Sequence, residues 1–178
     1  MHKKNIKRLT VSAVLSALAI VVVFINFSIF PQVPYLKYDM GDVPILIISF
    51  LFGPLYGFLS TVIVAAFQAL FLSSDGWYGG FMHIVSTSAL ILPPAILYFR
   101  KRNFKSAIIG LSISCVTVTL VMICFNYFLN PIFYGIPRQA IVAVLPWTAA
   151  FNFIKTVINS FITIVVYKNI SKLIKKFD

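Results

Sequence analysis

Lys155 stands nine residues into an apolar run that opens near residue 146, with Asn152 three positions before it and Asn159 four after. That spacing puts all three on one helix face, about 13 Å along the axis from the start of the run. An ammonium at such depth is costly in hydrocarbon, so the face must turn toward the protein interior or a wet cavity. Two amides beside one ammonium offer donors and acceptors without a nucleophile and base, which is chemistry for holding a solute. A structural interhelical network, with the lysine satisfied by carbonyls or by an aspartate of the first loop, fits the same pattern, and the spacing leaves both readings open.

A second group lies in "PYLKYDMGDVP", residues 34–44, where Lys37, Asp39 and Asp42 fall within eleven residues of a chain that has only four acids. Pro31, Pro34, Gly41 and Pro44 forbid a clean helix here, whereas Tyr35, Leu36, Tyr38 and Met40 are too apolar for a solvated loop. Two readings follow. One is a lid folded back over the outer mouth of a bundle, with Leu36, Lys37 and Asp39 covering or lining what lies beneath. The other is an interfacial connector in which Lys37 and Asp39 pair at the headgroups.

Asn126, in "CFNYFLNPIFYG", either caps a helix end or points toward the same space. Tyr78 and His83, in "SSDGWYGGFMHIVST", sit near the same mouth with Trp77. Trp and Tyr are ordinary in an interfacial belt, and a single histidine often serves only as a bundle hydrogen-bonder. Taken together, these residues describe an aromatic-rimmed pocket with amide and ammonium donors inside, suited to a flat, largely uncharged heteroaromatic solute. With one buried cation and no arginine clamp, a strongly anionic solute is disfavoured.

The elements that must position these residues follow from composition. The chain has 178 residues, 60% hydrophobic and 11% charged, with eighteen Phe, so it is expected to be an all-α membrane protein. Hydrocarbon about 30 Å thick needs roughly 20 apolar helical residues to cross it. Apolar runs read against Pro, Gly and charge give six spans, near 9–30, 43–56, 58–73, 78–98, 106–128 and 146–168. The first follows a basic start but no small-residue cleavage site, so it reads as a retained span. Residues 43–73 could instead form one kinked helix, and charge decides for two helices split at "GPLYG".

Twelve of the fifteen Lys and Arg fall in three groups: Lys3, Lys4, Lys7 and Arg8; Arg100, Lys101, Arg102 and Lys105; Lys168, Lys172, Lys175 and Lys176. Six spans put all three groups and both termini in the cytoplasm, and Asp39, Asp42 and Asp75 outside with Lys37 and Arg138. Clusters that alternate with spans explain the net charge of +11 without a nucleic-acid partner. No linker or repeat divides the chain, so residues 1–178 read as a single domain, a six-transmembrane-helix bundle.

Cys115 and Cys124, nine apart on one helix, cannot bridge, and no Cys/His cluster suggests a metal. Neither HExxH, GxSxG nor a phosphate-cradling glycine loop occurs, so no catalytic residues are expected. On the first helix Ala13 and Ala17, with Ser12 and Ser16 beside them, make a small-residue stripe of the kind that permits close helix approach in lipid. It could face a partner or serve internal packing.

The succession of "AVLSA", "PYLKYDMGDVP", "LFGPLYG", "GFMHIVSTSALILPPAILY", "NYFLNPIFYG" and "LPWTAAFNFIKTVINS" runs along nearly the whole chain. It resembles the substrate-binding S components of energy-coupling-factor (ECF) vitamin transporters, most closely the riboflavin-specific branch. The resemblance implies a multi-pass protein of the bacterial cell membrane that is not an enzyme, and that holds its vitamin in an extracellular-side pocket. Riboflavin is then the transported substrate and there is no cofactor. Its partners are a transmembrane T component and two cytoplasmic ATPases, with Ala13 and Ala17 facing the T component. Leu36, Lys37 and Asp39 are then expected to line or cover the pocket, and Asn126 and Lys155 to hydrogen-bond the isoalloxazine. His83 departs from the "FMN" of many relatives, where asparagine is expected. The alternatives are an S component for another vitamin or a flavin nucleotide, and a small structural protein of envelope assembly.

Overall fold

The computed structural model describes residues 2–73 and 75–174, with side chains over 5–73 and 75–167. Lys175, Lys176 and Asp178 lie outside the described residues, as do the side chains of Lys3, Lys4, Lys168 and Lys172.

Among the described residues six helices follow in order: α1 (His2–Val23), α2 (Asp42–Phe52), α3 (Pro54–Phe71), α4 (Gly76–Lys101), α5 (Phe104–Tyr134) and α6 (Arg138–Ile174). Five are long and apolar enough to cross a membrane, and α2 is not. Its eleven residues rise about 16 Å, roughly half the hydrocarbon thickness. Ten of the eleven are buried, because α2 packs against α1, α3, α4 and α6. The span expected at 43–56 is therefore a short interior helix, apolar on every side because protein surrounds it.

The split between α2 and α3 falls at Gly53, whose φ of 104° and ψ of 171° favour a residue without a Cβ. Pro54 then opens α3, where its missing N–H costs nothing. The chain reverses sharply: a Cβ on Gly57 would overlap the Ser49 side chain, although residues eight apart in an unbroken helix stand about 12 Å apart. Two helices, not one kinked helix, occupy this stretch.

The first helix stops at Val23, short of the expected residue 30. The Asn26 amide donates to the Val23 carbonyl at 3.0 Å, satisfying a last-turn acceptor that the helix leaves open. Beyond it the chain forms a small antiparallel hairpin, β1 (Phe27–Ser28) and β2 (Lys37–Tyr38), with Phe27 opposite Tyr38 and Ser28 opposite Lys37. Two-residue strands are too short to leave an alternation in the sequence, and none was expected.

The α4–α5 pair is held at backbone distance. Pro94 lies inside α4 and has no N–H, so the Leu90 carbonyl one turn earlier loses its helical donor. Ser114 Oγ of α5 donates to that carbonyl at 2.7 Å. One turn before Ser114, Gly110 sits so close that a Cβ would overlap the Pro94 backbone. Backbone groups at membrane depth must find partners within the protein, and this crossing supplies one.

The end of α1, the α1–α2 loop, the end of α3 and the start of α4 meet the last turns of α5 and the middle of α6 at one end of the bundle. The Arg100–Lys105 corner lies at the other. There the Phe50 ring packs 5.3 Å from Tyr98 and 5.5 Å from Tyr167, and the two tyrosine hydroxyls hydrogen-bond each other, closing the interior.

Candidate binding site

A cavity of about 200 Å³ opens at the end where the α1–α2 loop lies. Of the residues the sequence singled out, Leu36, Lys37, Asp39, Tyr78, His83, Asn126, Asn152 and Lys155 all line it. The loop is folded inward, with Tyr38 and Asp39 buried, so the lid reading of residues 34–44 describes where this segment lies. Asp39 pairs with Lys155 and not with Lys37: its Oδ2 accepts from Lys155 Nζ at 2.8 Å.

One expectation is corrected here. Asn159 does not line the cavity. It is fully buried one turn past Lys155, where its amide donates to Asp42 Oδ2 at 3.1 Å and to the Asp39 backbone carbonyl at 3.3 Å. The Tyr38 hydroxyl closes the far side by donating to Asn159 Oδ1 at 3.0 Å. Burial pushes the Tyr38 phenol above the usual tyrosine range, against the lowering pull of Lys155, so it stays a donor.

Asp42 is drawn into the bundle. It is 3% exposed, accepts from Thr87 Oγ1 of α4 at 2.7 Å, and lies 3.6 Å from Lys155 Nζ. Because α2 begins at Asp42 and is almost wholly buried, its first turn carries the carboxylate into the bundle. Asp75 contributes to the cavity wall.

A second polar ladder runs along α5. The Tyr78 hydroxyl donates to Asn130 Oδ1, the Asn130 amide to Asn126 Oδ1 at 2.8 Å, and the Asn126 amide to the Met122 carbonyl at 2.7 Å. Asn126 is thus no end cap; it sits two turns inside α5 and is 3% exposed. Each amide nitrogen carries two hydrogens, and these bonds use one, leaving capacity for a solute. On the wall formed by α6, the Asn152 amide donates to the Thr148 carbonyl at 2.8 Å.

Sequence reasoning missed Asn130, Gln68, Ser86, Tyr35 and Tyr134 among the lining residues. Asn130 was detectable, since it stands four after Asn126 and shares its helix face by the same rule that joined Asn159 to Lys155. Gln68 is the sole amide of α3, and Ser86 lies three after His83. Tyr134 and Tyr35 belong to the mouth, where aromatic residues give no contrast with the interfacial belt. Trp77 stays outside as a rim residue, 73% exposed, with its ring packed edge-on to Phe133.

On α1 the stripe divides. Ala13 and Ala17 are exposed, while Ser12 and Ser16 turn into the bundle. Internal packing therefore uses the serines, and the alanines present a smooth outer face.

The family model for the substrate-specific component of ECF transporters matches residues 7–167. The chain belongs to this family. Among relatives, it is 32% identical to the riboflavin transporter RibU of Staphylococcus aureus (strain TCH60), over 99% of this chain and 96% of that one. It is 31% identical to the riboflavin transporter FmnP of Bacillus subtilis (strain 168), over 70% of this chain and 67% of that one. A solved S component of a bacterial ECF transporter superposes with a TM-score of 0.83 at 33% identity, covering 96% of this chain and 99% of that one. The protein is thus a membrane-embedded transport subunit of the S-component type, and the envelope-assembly alternative falls.

Proposed function

We propose that this S component captures riboflavin at the outer face of the cell membrane and delivers it together with a T component and two ATPases. The observation that carries the reading is the pairing, in one cavity, of the Lys155 ammonium with the Asn126–Asn130 amide ladder. A flavin ring is flat and apolar on its faces, and its imide edge alternates acceptors and donors that match an ammonium and carboxamides. The names of the RibU and FmnP relatives support the same solute. In this reading Asn126, Asn152 and Lys155 contact the ring, Tyr78 and His83 complete the wall, and Leu36, Lys37 and Asp39 cover the mouth. The cavity end faces outward, and both termini with the Arg100–Lys105 corner face the cytoplasm, as the excess of basic residues there favours.

The direct test is colour and fluorescence. Protein purified in detergent from riboflavin-fed cells is expected to be yellow with flavin absorbance, and stripped protein to quench added riboflavin. A colourless preparation that gains no thermal stability from riboflavin would overturn the proposal.

The exposed Ala13 and Ala17 carry a separate expectation for assembly. Their small side chains let a partner helix approach closely, and they lie on the outer face of α1, away from the cavity. Ala13→Trp with Ala17→Trp should cut riboflavin uptake by at least about tenfold in cells. Titration of the purified variant should give a Kd within about threefold of wild type, since mutations that touch no shared partner act independently. Equal losses in uptake and in affinity would contradict this division.

A further inference from the structure

We infer that the two aspartates at Lys155 have different duties: Asp42 is the fixed counter-ion that keeps the ammonium aimed into the cavity, and Asp39 is an exchangeable partner whose position a flavin carbonyl oxygen takes. The inference rests on the flavin reading above and adds a positioning residue, Asp42, that does not touch the cavity.

The two carboxylates are anchored differently. Asp42 Oδ1 accepts from Thr87 of α4, and Oδ2 accepts from Asn159 of α6 and lies 3.6 Å from Lys155 Nζ. The carboxylate sits in the first turn of α2, where unpaired amides and the helix dipole favour an anion. Thr87 commits its hydrogen to Asp42, so its oxygen is left to accept from His83 Nε2 at 3.4 Å. Turning Asp42 away would break bonds to two other helices at once.

Asp39 stands on the loop and forms part of the cavity wall. Its Oδ1 accepts from the Gly41 backbone N–H, two residues away, at 2.8 Å, and its Oδ2 from Lys155 at 2.8 Å. What ties this residue to α6 otherwise is its backbone carbonyl, held by Asn159, and not its side chain. Releasing Lys155 therefore costs the Asp39 carboxylate one bond and leaves the loop attached.

An ammonium has three N–H donors, and a buried one requires a counter-charge. With Asp42 in place, a neutral flavin oxygen can replace Asp39 without leaving the ammonium bare, and the Asp39 carboxylate keeps the Gly41 N–H. Without Asp42, the same exchange would strip the ammonium of its last carboxylate. Asp42 thus permits solute and loop to compete for Lys155.

Wild type, Asp39→Asn, Asp42→Asn, Asp42→Glu and Lys155→Met, purified in detergent, would be titrated with riboflavin and their bound-flavin spectra recorded. Asp39→Asn should weaken binding by no more than about tenfold and keep the wild-type visible band, since the ammonium still reaches the ring. Asp42→Asn should weaken it by at least about 100-fold and shift the band to that of Lys155→Met. Asp42→Glu, which restores the charge, should return the wild-type band. Equal losses in the two asparagine variants would overturn the inference, and so would an Asp39→Asn band like that of Lys155→Met, which can be read even if Asp42→Asn does not fold. If wild type leaves riboflavin free, the flavin reading fails with the exchange that rests on it, and melting temperatures still decide which aspartate is the fixed counter-ion. Asp42→Asn should then melt well below Asp39→Asn, and no difference between them would overturn the assignment.

Discussion

Lys155→Met is expected to lose riboflavin binding by at least about 100-fold and to destabilise the protein by about 3–5 kcal/mol. The methionine fills most of the lysine's volume, so the effect is one of charge. Asp39 Oδ2 and Asp42 Oδ2 lie 2.8 Å and 3.6 Å from the Lys155 nitrogen, and both residues are buried. Removing the ammonium leaves two carboxylates facing one vacated point, and a buried pair that loses one member costs far more than the pair itself contributes. Two losses with one cause should be separable: riboflavin titration reads the missing donor, and thermal melting without ligand reads the unpaired acids. Adding Asp42→Asn to Lys155→Met should recover much of the melting temperature and none of the binding. A single Lys155→Met variant that melts with wild type would mean that the acids are solvated and the cluster is not interior.

Gly110→Val should destabilise the bundle by about 3 kcal/mol or more, with no residue of the cavity touched. The valine Cβ would overlap the Pro94 backbone, and no flexible side chain is there to move aside. Pushing α5 away also stretches the Ser114 bond to the Leu90 carbonyl, which has no helical donor because Pro94 lacks an N–H. An acceptor left unpaired in a membrane interior adds about 1–3 kcal/mol to the overpacking cost. Melting in detergent would show the loss, and Gly110→Ala should fall between valine and wild type. A Gly110→Val protein with unchanged melting temperature would show that the crossing is looser than a backbone contact.

Lys155 was legible because depth and charge are both linear in sequence: it stands nine residues into a largely apolar run, where an ammonium facing lipid is costly. Asn152 followed from three-residue spacing on the same face. The four-residue spacing picked out Asn159 as well, but periodicity gives a face and not a distance from the void, and Asn159 proved to hold the acids that hold the lysine. Asn130 is the converse case, a residue within reach of the i,i+4 rule whose partner, Tyr78, belongs to another helix.

The apolar runs, the charge clusters and the glycine-proline punctuation determined by themselves that this is a helical membrane protein with an inward-facing Lys155, because burial in lipid constrains each segment locally. Where Asp42 and Asp75 point, that α2 is an interior half-length helix, and that Asp39 reaches across 116 positions to Lys155 were decided only by tertiary structure. A carboxylate in a loop-like stretch reads as solvated until its partners arrive from α4 and α6, and those contacts join residues that no local pattern connects.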